Sequence, residues 1–510
     1  TKDDTGMFFY IKNINSNEYW SATYEPCKYE GEDYEVTFSP DKSEFRRKDG
    51  NLRTYTEVTV CQEEEGEVRR ISITNAGKKR REVEITSYME VTLSPYNADL
   101  VHPAFQNLFI ETEFVHNPVC LLASRRPRKK DEEKPWMMQT IAVEGEQLGS
   151  VQYETSRVNF IGRNRNLAKP RAMDNDVQLT KSVGDVIDPI ISIRVRVAVD
   201  PGKTCKVAYT TAVTNCKEKA IEIANKYRDM FNVNRIFKLS WTECQMEMKY
   251  LCIKSNQINM YQKMASRILF LSSSLEQRKQ YIMNIRKGQS ALWPYGISGD
   301  LPIVLVIIRN ENHMSLVRQL LSAYEYWMWK GLSVDLVFLN LQDILYMQPL
   351  QNKLRDAVNS RTSRYKKNID GGVFLYNKNT MKEEDIELFI AIARLVIDGD
   401  KGELFEQIED STYLTEDNIG MIDKSANVTS KNISSYQFQL PELQYFNEVG
   451  GFSSEGKSYI IVLKDYKHTP APWINVISNK KFGFHVSESG ISYTWNKNSR
   501  ENKLTTWSND

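Results

Sequence analysis

The chain has 510 residues, 41% of them apolar, and a net charge of +1. That composition supports real cores over roughly two to four domains, and it excludes a global field that would recruit nucleic acid or an anionic membrane. Seven cysteines (Cys27, Cys61, Cys120, Cys205, Cys216, Cys244 and Cys252) are scattered and show no CxxC spacing. The expectation is reduced, buried thiols and a cytoplasmic setting.

From Tyr10 to about Val213 the pattern is β. Ile71 and Ile73 alternate with polar residues, as do Val83 and Ile85, and Asn75-Ala-Gly77 between them is turn chemistry. This predicts a hairpin. Ile191, Ile193, Val195, Val197 and Val199 keep strict period two, with Ser192, Arg194 and Arg196 on the other face. Asp200-Pro-Gly202 turns the chain, and Val207 to Val213 returns it. Many strands without intervening helices predict a large antiparallel sandwich.

At Asn215 the period changes. Ala220, Ile223, Ala224, Tyr227 and Phe231 mark a helical face, and further helices are expected over roughly 235–253 and 259–271, all packing onto the sandwich. A third pattern starts at Leu301. Pro302–Ile308 reads as a buried strand, too short to span a bilayer. Val317 to Met328 line a helix, Asp335–Leu339 is a strand, Pro349 opens a helix, and Gly371–Tyr376 is a strand. Thr380-Met-Lys-Glu383 predicts a capping box opening a helix that runs through Ile397 and ends at Gly399. The order βαβαβα implies a small parallel layer. Asp400 to Val449 is polar and reads as a linker, and Tyr459–Leu463 is a strand beyond it.

The two ends echo each other. Gly6-Met-Phe-Phe-Tyr10 leads through an Asn-rich loop to Trp20-Ser21, and Gly490-Ile-Ser-Tyr493 leads through another to Trp507-Ser508. The chain opens at Thr1 without Met and stops at Asp510 within this second copy, which predicts an internal fragment.

Few strings carry chemistry. Asp300, in Leu292-Trp-Pro-Tyr-Gly-Ile-Ser-Gly-Asp-Leu-Pro302, is either a carboxylate of a sugar site or a turn cap, and no catalytic partner is visible for it. Ser124–Lys130 is basic but is followed by Asp131, Glu132 and Glu133, so a solvated loop is expected. Arg163 and Arg165 beside Gly162 fit either an anion site or a strand-end turn. His102, His116, His313, His468 and His485 show no metal spacing, and no phosphate-loop or nucleophile-elbow string appears. Neither a metal nor a cofactor is expected. Asn498-Ser-Arg-Glu-Asn502, flanked by Trp495 and Trp507, combines forked polar groups with aromatic faces, which fits either a sugar-binding loop or a purely structural one.

The chain resembles the cyclic β-1,2-glucan synthase and β-1,2-oligoglucan phosphorylase branch of the cellobiose-phosphorylase family, glycoside hydrolase family 94. Four stretches carry the likeness: Phe160–Leu167; Gly288–Ile303; Ala323–Trp327 with Gly331–Val337; and Pro470–Val476 running into Ser487–Gly490 and Asn498–Asn502. The resemblance implies an α+β multidomain chain. Its parts would be a large antiparallel β-supersandwich (1–215), linker helices (216–300), a small parallel α/β domain (301–400), a polar linker (401–449) and the start of a second β-supersandwich (450–510). It also implies that an (α/α)6 barrel beyond Asp510 carries the chemistry, so no catalytic residue is assigned here. Tyr493, Asn498, Arg500 and Glu501 match a family loop that approaches the sugar site, in some members across a dimer interface. The implied partners are a β-glucan oligosaccharide, inorganic phosphate as co-substrate of the full-length enzyme, and a second subunit. The implied place is the cytoplasm, or the cytoplasmic face of the inner membrane for a synthase. No nucleic-acid partner and no membrane segment are expected within these residues. A part-sandwich at the end predicts unpaired strand edges.

Overall fold

The alternating stretches do become strands, but their pairing is set by distance partners. The computed structural model describes residues 5–129, 132, 134–270, 278–342, 349–362, 371–409, 441–463, 469 and 471–506. Two units emerge: Thr1–Trp241 with Ser430–Asp510, and Thr242–Thr429.

The first unit begins with β1 (Met7–Asn13), β2 (Glu18–Ser21), β3 (Asp33–Phe38), β4 (Ser43–Asp49), β5 (Leu52–Val60), β6 (Gly66–Asn75) and β7 (Arg81–Glu90). Short helices α1 (Tyr96–Val101) and α2 (Pro103–Asn107) lead to β8 (Ile110–Val115), β9 (Cys120–Arg125), β10 (Trp136–Glu144) and β11 (Glu146–Ser156). After α3 (Arg157–Ile161) come β12 (Gly184–Asp185), β13 (Pro189–Val199) and β14 (Thr204–Thr214), then α4 (Lys217–Tyr227) and α5 (Met230–Leu251), which contains the boundary between the units. The strands form a five-stranded sheet, β11-β13-β7-β1-β2, and a nine-stranded sheet, β12-β8-β9-β10-β14-β6-β5-β4-β3.

The predicted hairpin is not formed. β6 pairs with β5 and β14 in the larger sheet, whereas β7 pairs with β1 and β13 in the smaller one. Asn75 organises the crossing, donating to the carbonyls of Lys79 and Val199 at 2.8 Å each. Alternation demands only that one face be buried. A hairpin satisfies that demand beside its neighbour, and an arch satisfies it across the core. Here Ile71, Ile73, Val83 and Ile85 all enter the same inter-sheet core, together with Phe9, Leu121, Ile191 and Val207. β13 and β14 are likewise split between the sheets.

Both outer faces are covered too. Ala220, Ile223, Ala224 and Tyr227 of α4, with Val233 and Ile236 of α5, pack on Val68, Leu122, Met138 and Ala208 of the larger sheet. Over the smaller sheet, the stretch after β11 buries Phe160, Ile161, Met173 and Leu179 against Phe8, Tyr10 and Tyr88. Hence Ser192 and Arg194, on the polar face of β13, are buried as well. Arg194 donates to the carbonyls of Val177 and Ala172, and the buried Lys12 amine donates to those of Met173 and Asp174. Glu154 of β11 accepts from the backbone N–H of Thr155, Ser156 and Thr180 and from the hydroxyls of Thr180 and Ser182.

The second unit contains α6 (Ser255–Leu269), α7 (Lys279–Asn284), β15 (Ile303–Ile308), α8 (Met314–Trp329), β16 (Asp335–Asn340), α9 (Pro349–Thr362), β17 (Val373–Asn377), α10 (Glu383–Ile392), β18 (Leu395–Asp398) and α11 (Leu404–Glu409). Its parallel sheet has four strands, in the order β17-β16-β15-β18. The expected helix through Ile397 instead stops at Ile392, and Leu395–Asp398 forms the fourth strand. Nor does the capping box form: Lys382 holds the N-cap position without a side-chain hydrogen bond, and Thr380 donates to the Asn377 carbonyl. The apolar run at β15 reflects burial on both faces. Val304, Val306 and Ile308 face the α6, α8 and α9 side; Ile303, Leu305 and Ile307 face α10. Helix α6 thus packs in this core and not on the sandwich. The stretch after Asp400 is not all linker, because Leu404 and Ile408 of α11 are buried here.

The closing segment adds two three-stranded antiparallel sheets to the first unit: β19 (Leu443–Gln444), β20 (Gly450–Ser453) and β21 (Tyr459–Ile461), then β22 (Ile474–Ser478), β23 (Phe482–Ser487) and β24 (Ser492–Asn496). Among the described residues β22 pairs only with β23, and it is exposed along its whole length. The echo is reproduced as backbone. β1 turns back on β2, and β24 turns back to a Trp495–Lys503 bridge. Trp507 and His468 lie outside the described residues.

None of the seven cysteines is in a disulfide, and four are buried (Cys61, Cys120, Cys205 and Cys244), but Cys252 is exposed, against expectation. Burial pushes the Cys61 and Cys120 thiols up to about 12 and Cys205 up to about 11, which disfavours the reactive thiolate.

Candidate functional site

On β23 and β24, Gly483 lies opposite Trp495 and His485 opposite Tyr493. Side chains of directly opposed residues share a face, so three rings gather there. Tyr493 stands 4.4 Å from His485 and 5.3 Å from Trp495, centroid to centroid. Burial lowers the His485 pKa, favouring the neutral ring. Lys503 Nζ lies 5.5 Å from the Tyr493 ring centre, within cation–π range. The Trp495 indole crosses Gly483 so closely that a Cβ there would sit 2.5 Å from its ring and 2.7 Å from Ser478 Cβ. Gly483→Ala is therefore expected to displace Trp495 at a cost of roughly 1–3 kcal/mol; hydrogen exchange of the β23 amides would rise, and unchanged exchange would rule out the packing role.

The loop after β24 is closed by its own hydrogen bonds. Asn498 Oδ1 accepts the N–H groups of Arg500 and Glu501 at 2.9 Å each, and the Tyr493 hydroxyl donates to the Ser499 carbonyl at 3.4 Å. Of the four residues marked in the sequence, the fold joins Tyr493 and Asn498 in one turn. Arg500 and Glu501 are exposed and pair with each other at 3.3 Å. An exposed pair contributes about 0–1 kcal/mol, so a ligand hydroxyl competes with it readily.

Sequence reading marked Arg163 beside Gly162 but missed its partners, Glu488 in the turn between β23 and β24 and Thr469 before β22. Arg163 and Glu488 form an ion pair with side chains only 11% and 10% exposed. Thr469 completes the cluster: its hydroxyl donates to Glu488 Oε1 at 2.7 Å, and its carbonyl accepts from Arg163 Nη1 at 2.6 Å. Burial alone would raise the Glu488 carboxyl, but the Thr469 hydroxyl and Arg163 hold it below its ordinary value. The anion beside Gly162 is thus supplied by the chain itself. Arg163 and Glu488 both fall within the strings that carried the family likeness, the signal that could have marked Glu488.

Asp300 takes the turn-cap role. Its N–H donates to Ser298 Oγ at 3.1 Å and its carboxylate accepts from Gln289 Nε2 at 3.1 Å, with Gly296 and Gly299 at positive φ on either side of Ser298. It lines an open cleft of about 350 Å³ with Leu292, Ile392 and Arg394, and is the one carboxylate among the described residues lining it. The basic run is also engaged. Arg125 donates to Gln106, and Arg128 lies 4.5 Å from the Phe109 ring centre. In the second unit the sheet order reverses between β15 and β18, where parallel sheets commonly bind ligands. That crevice is filled by internal pairs: Arg309 with Asp398 and Asp400, and His313 with Asp400 at 3.2 Å.

The family model for the glycosyl hydrolase 94 supersandwich domain matches residues 1–230 and 457–510, more than half of the chain. The chain belongs to the glycosyl hydrolase 94 family. Its architecture is accordingly an α+β multidomain supersandwich. This glycosyl hydrolase 94 chain is similar over its entire length to the cyclic beta-(1,2)-glucan synthase NdvB of Rhizobium meliloti (strain 1021), at 31% identity over 516 residues, covering 18% of that protein. It is also similar to a solabiose phosphorylase of Paenibacillus borealis, at 21% identity over 155 residues, covering 30% of this chain and 19% of the relative. The chain thus spans about a fifth of the length of the curated relatives it matches. Among solved structures, a bacterial glucoamylase complexed with acarbose aligns over 50% of this chain and 33% of its own, at 12% identity and a TM-score of 0.30, too loose to bear on the fold. No helix among the described residues is long and apolar enough to cross a membrane.

Proposed function

We propose that this chain is a carbohydrate-binding, non-catalytic portion of a β-1,2-glucan-processing enzyme, of the cyclic synthase or inverting phosphorylase type. The full-length similarity to a cyclic beta-(1,2)-glucan synthase carries this reading. The rings of Tyr493 and Trp495, with Asn498, Arg500 and Glu501 in the loop that follows β24, support a sugar contact, because rings pack on the C–H face of a glucosyl unit while forked polar groups meet its hydroxyls. In this reading phosphate is a co-substrate of the full-length enzyme only, no cofactor or metal is needed, and the whole protein works as a homodimer in the cytoplasm or on the cytoplasmic face of the inner membrane.

Calorimetry of the full chain with β-1,2-glucooligosaccharides is expected to give binding at millimolar ligand, and an assay with added phosphate no glucose 1-phosphate. Binding without turnover also fits a stand-alone binding module, which differs in needing no further chain for its role. An active enzyme using Asp300 is disfavoured by the turn-capping bonds of that carboxylate. Robust turnover that Asp300→Asn abolishes would overturn the non-catalytic reading.

A further inference from the structure

The Arg163–Glu488 pair has a place in the chain that a surface salt bridge lacks. Arg163 follows Gly162, whose φ of +81° is costly for any side chain and whose added Cβ would meet Arg171 Cβ at 2.9 Å. The backbone on both sides of Arg163 is anchored to the five-stranded sheet. Before it, the Phe160 ring packs 4.9 Å from Tyr88 and 5.8 Å from Tyr10. After it, the Tyr10 hydroxyl donates to the Leu167 carbonyl at 2.7 Å and the Tyr19 hydroxyl to the Ala168 carbonyl at 3.2 Å. At the other end, Glu488 sits in the tight turn between β23 and β24, closed by Gly490 N–H donating to the Ser487 carbonyl at 3.0 Å. Tyr493 lies one residue into the strand that leaves this turn.

We propose that Arg163 is a positioning residue, which holds the Tyr493–Glu501 loop in its sugar-binding arrangement through its buried pair with Glu488. This rests on the reading that the loop contacts glucan. A buried pair cannot be strained cheaply: loss of either partner leaves an uncompensated charge, so the turn carrying Glu488 has one favoured place. Arginine suits the task because its planar fork presents one nitrogen to the Glu488 carboxylate and another to the Thr469 carbonyl in a fixed geometry, which the single, freely rotating ammonium of a lysine does not fix.

The test uses the full chain with Arg163→Ala, Arg163→Lys, Glu488→Ala and the exchanged pair R163E/E488R. Hydrogen exchange of the β23 and β24 amides reports docking, exchange of the β5 and β6 amides reports the fold, and calorimetry with a β-1,2-glucooligosaccharide reports affinity. The alanine variants are expected to speed exchange in β23 and β24 by roughly 100-fold, leave β5 and β6 unchanged, and weaken binding at least about tenfold. The lysine variant should fall between, and the exchanged pair should recover much of both. Faster exchange with unchanged affinity would overturn the positioning role while sparing the glucan reading. Absence of binding by the wild-type chain would overturn the glucan reading and the positioning role with it.

Discussion

Glu154→Ala is expected to destabilise the sandwich by roughly 2–3 kcal/mol, because one buried and several part-buried donors lose their acceptor together, and a buried donor left unpaired costs about 1–3 kcal/mol. Glu154 is 1% exposed. It ties β11 to the segment that crosses the outer face of the smaller sheet, through the N–H groups of Thr155, Ser156 and Thr180 and the hydroxyls of Thr180 and Ser182. Without the carboxylate, the buried Thr155 N–H loses this acceptor, while the donors of Ser156, Thr180 and Ser182, which are not fully buried, turn to water. Partial relaxation will recover some of the loss, so the estimate is far below the sum over donors. Glu154→Gln keeps the shape but turns one acceptor into a donor facing donors, and should fall at about half the alanine effect. The measurement is the protection of the β11 and β13 amides in hydrogen exchange. A loss under about 1 kcal/mol for Ala would mean that the segment is held by its other contacts, the Arg194 and Lys12 hydrogen bonds and the buried Met173 and Leu179 among them.

The second large effect is expected in the parallel layer. Trp327 of α8 is 1% exposed, packs among Val304, Leu320, Val334 and Leu336, and donates its Nε1–H to the Tyr261 carbonyl of α6 at 2.9 Å. Trp327→Ala removes the largest fully buried side chain and opens a cavity, at a cost of about 3–5 kcal/mol. Protection should fall in β15, β16 and α6, with the sandwich strands untouched, since the two units have separate cores. Trp327→Phe keeps most of the volume and loses the hydrogen bond, so about 1–2 kcal/mol is expected. Equal losses for Phe and Ala would assign the effect to the hydrogen bond and not to packing.

These residues illustrate what local pattern can and cannot disclose. The parallel strands were legible because burial on both faces forces a continuous apolar run, as at Ile303–Ile308. β18 was missed because Ile397 also continues the Ile386, Ile390 and Ala393 face of the preceding helix, and only pairing with β15 decides between the two. The capping box at Thr380 failed for a related reason: Asn377 already closes the turn after β17, accepting the Asn379 N–H, and Thr380 joins that turn.

At the candidate site, residue type alone marked Tyr493, Asn498, Arg500 and Glu501. It could not foresee that Asn498 would be engaged by the N–H groups of the next two residues, or that Arg500 and Glu501 would pair. Nor could it foresee what Arg163, marked beside Gly162, would meet, since its partner Thr469 is 306 residues away.

What the sequence by itself determined is the local periodicity, the strand and helix inventory it implies, the ordered strings of the family, and the residue types around the closing loop. Periodicity records only that a face is buried, so it left open what each face is buried against. Tertiary structure alone decided that β6 and β7 belong to different sheets, that the polar face of β13 is also covered, that α6 serves the second unit, and that Arg163 meets Glu488. Each of those outcomes depends on contacts between residues far apart in the chain, whose energy no window of neighbouring residues contains.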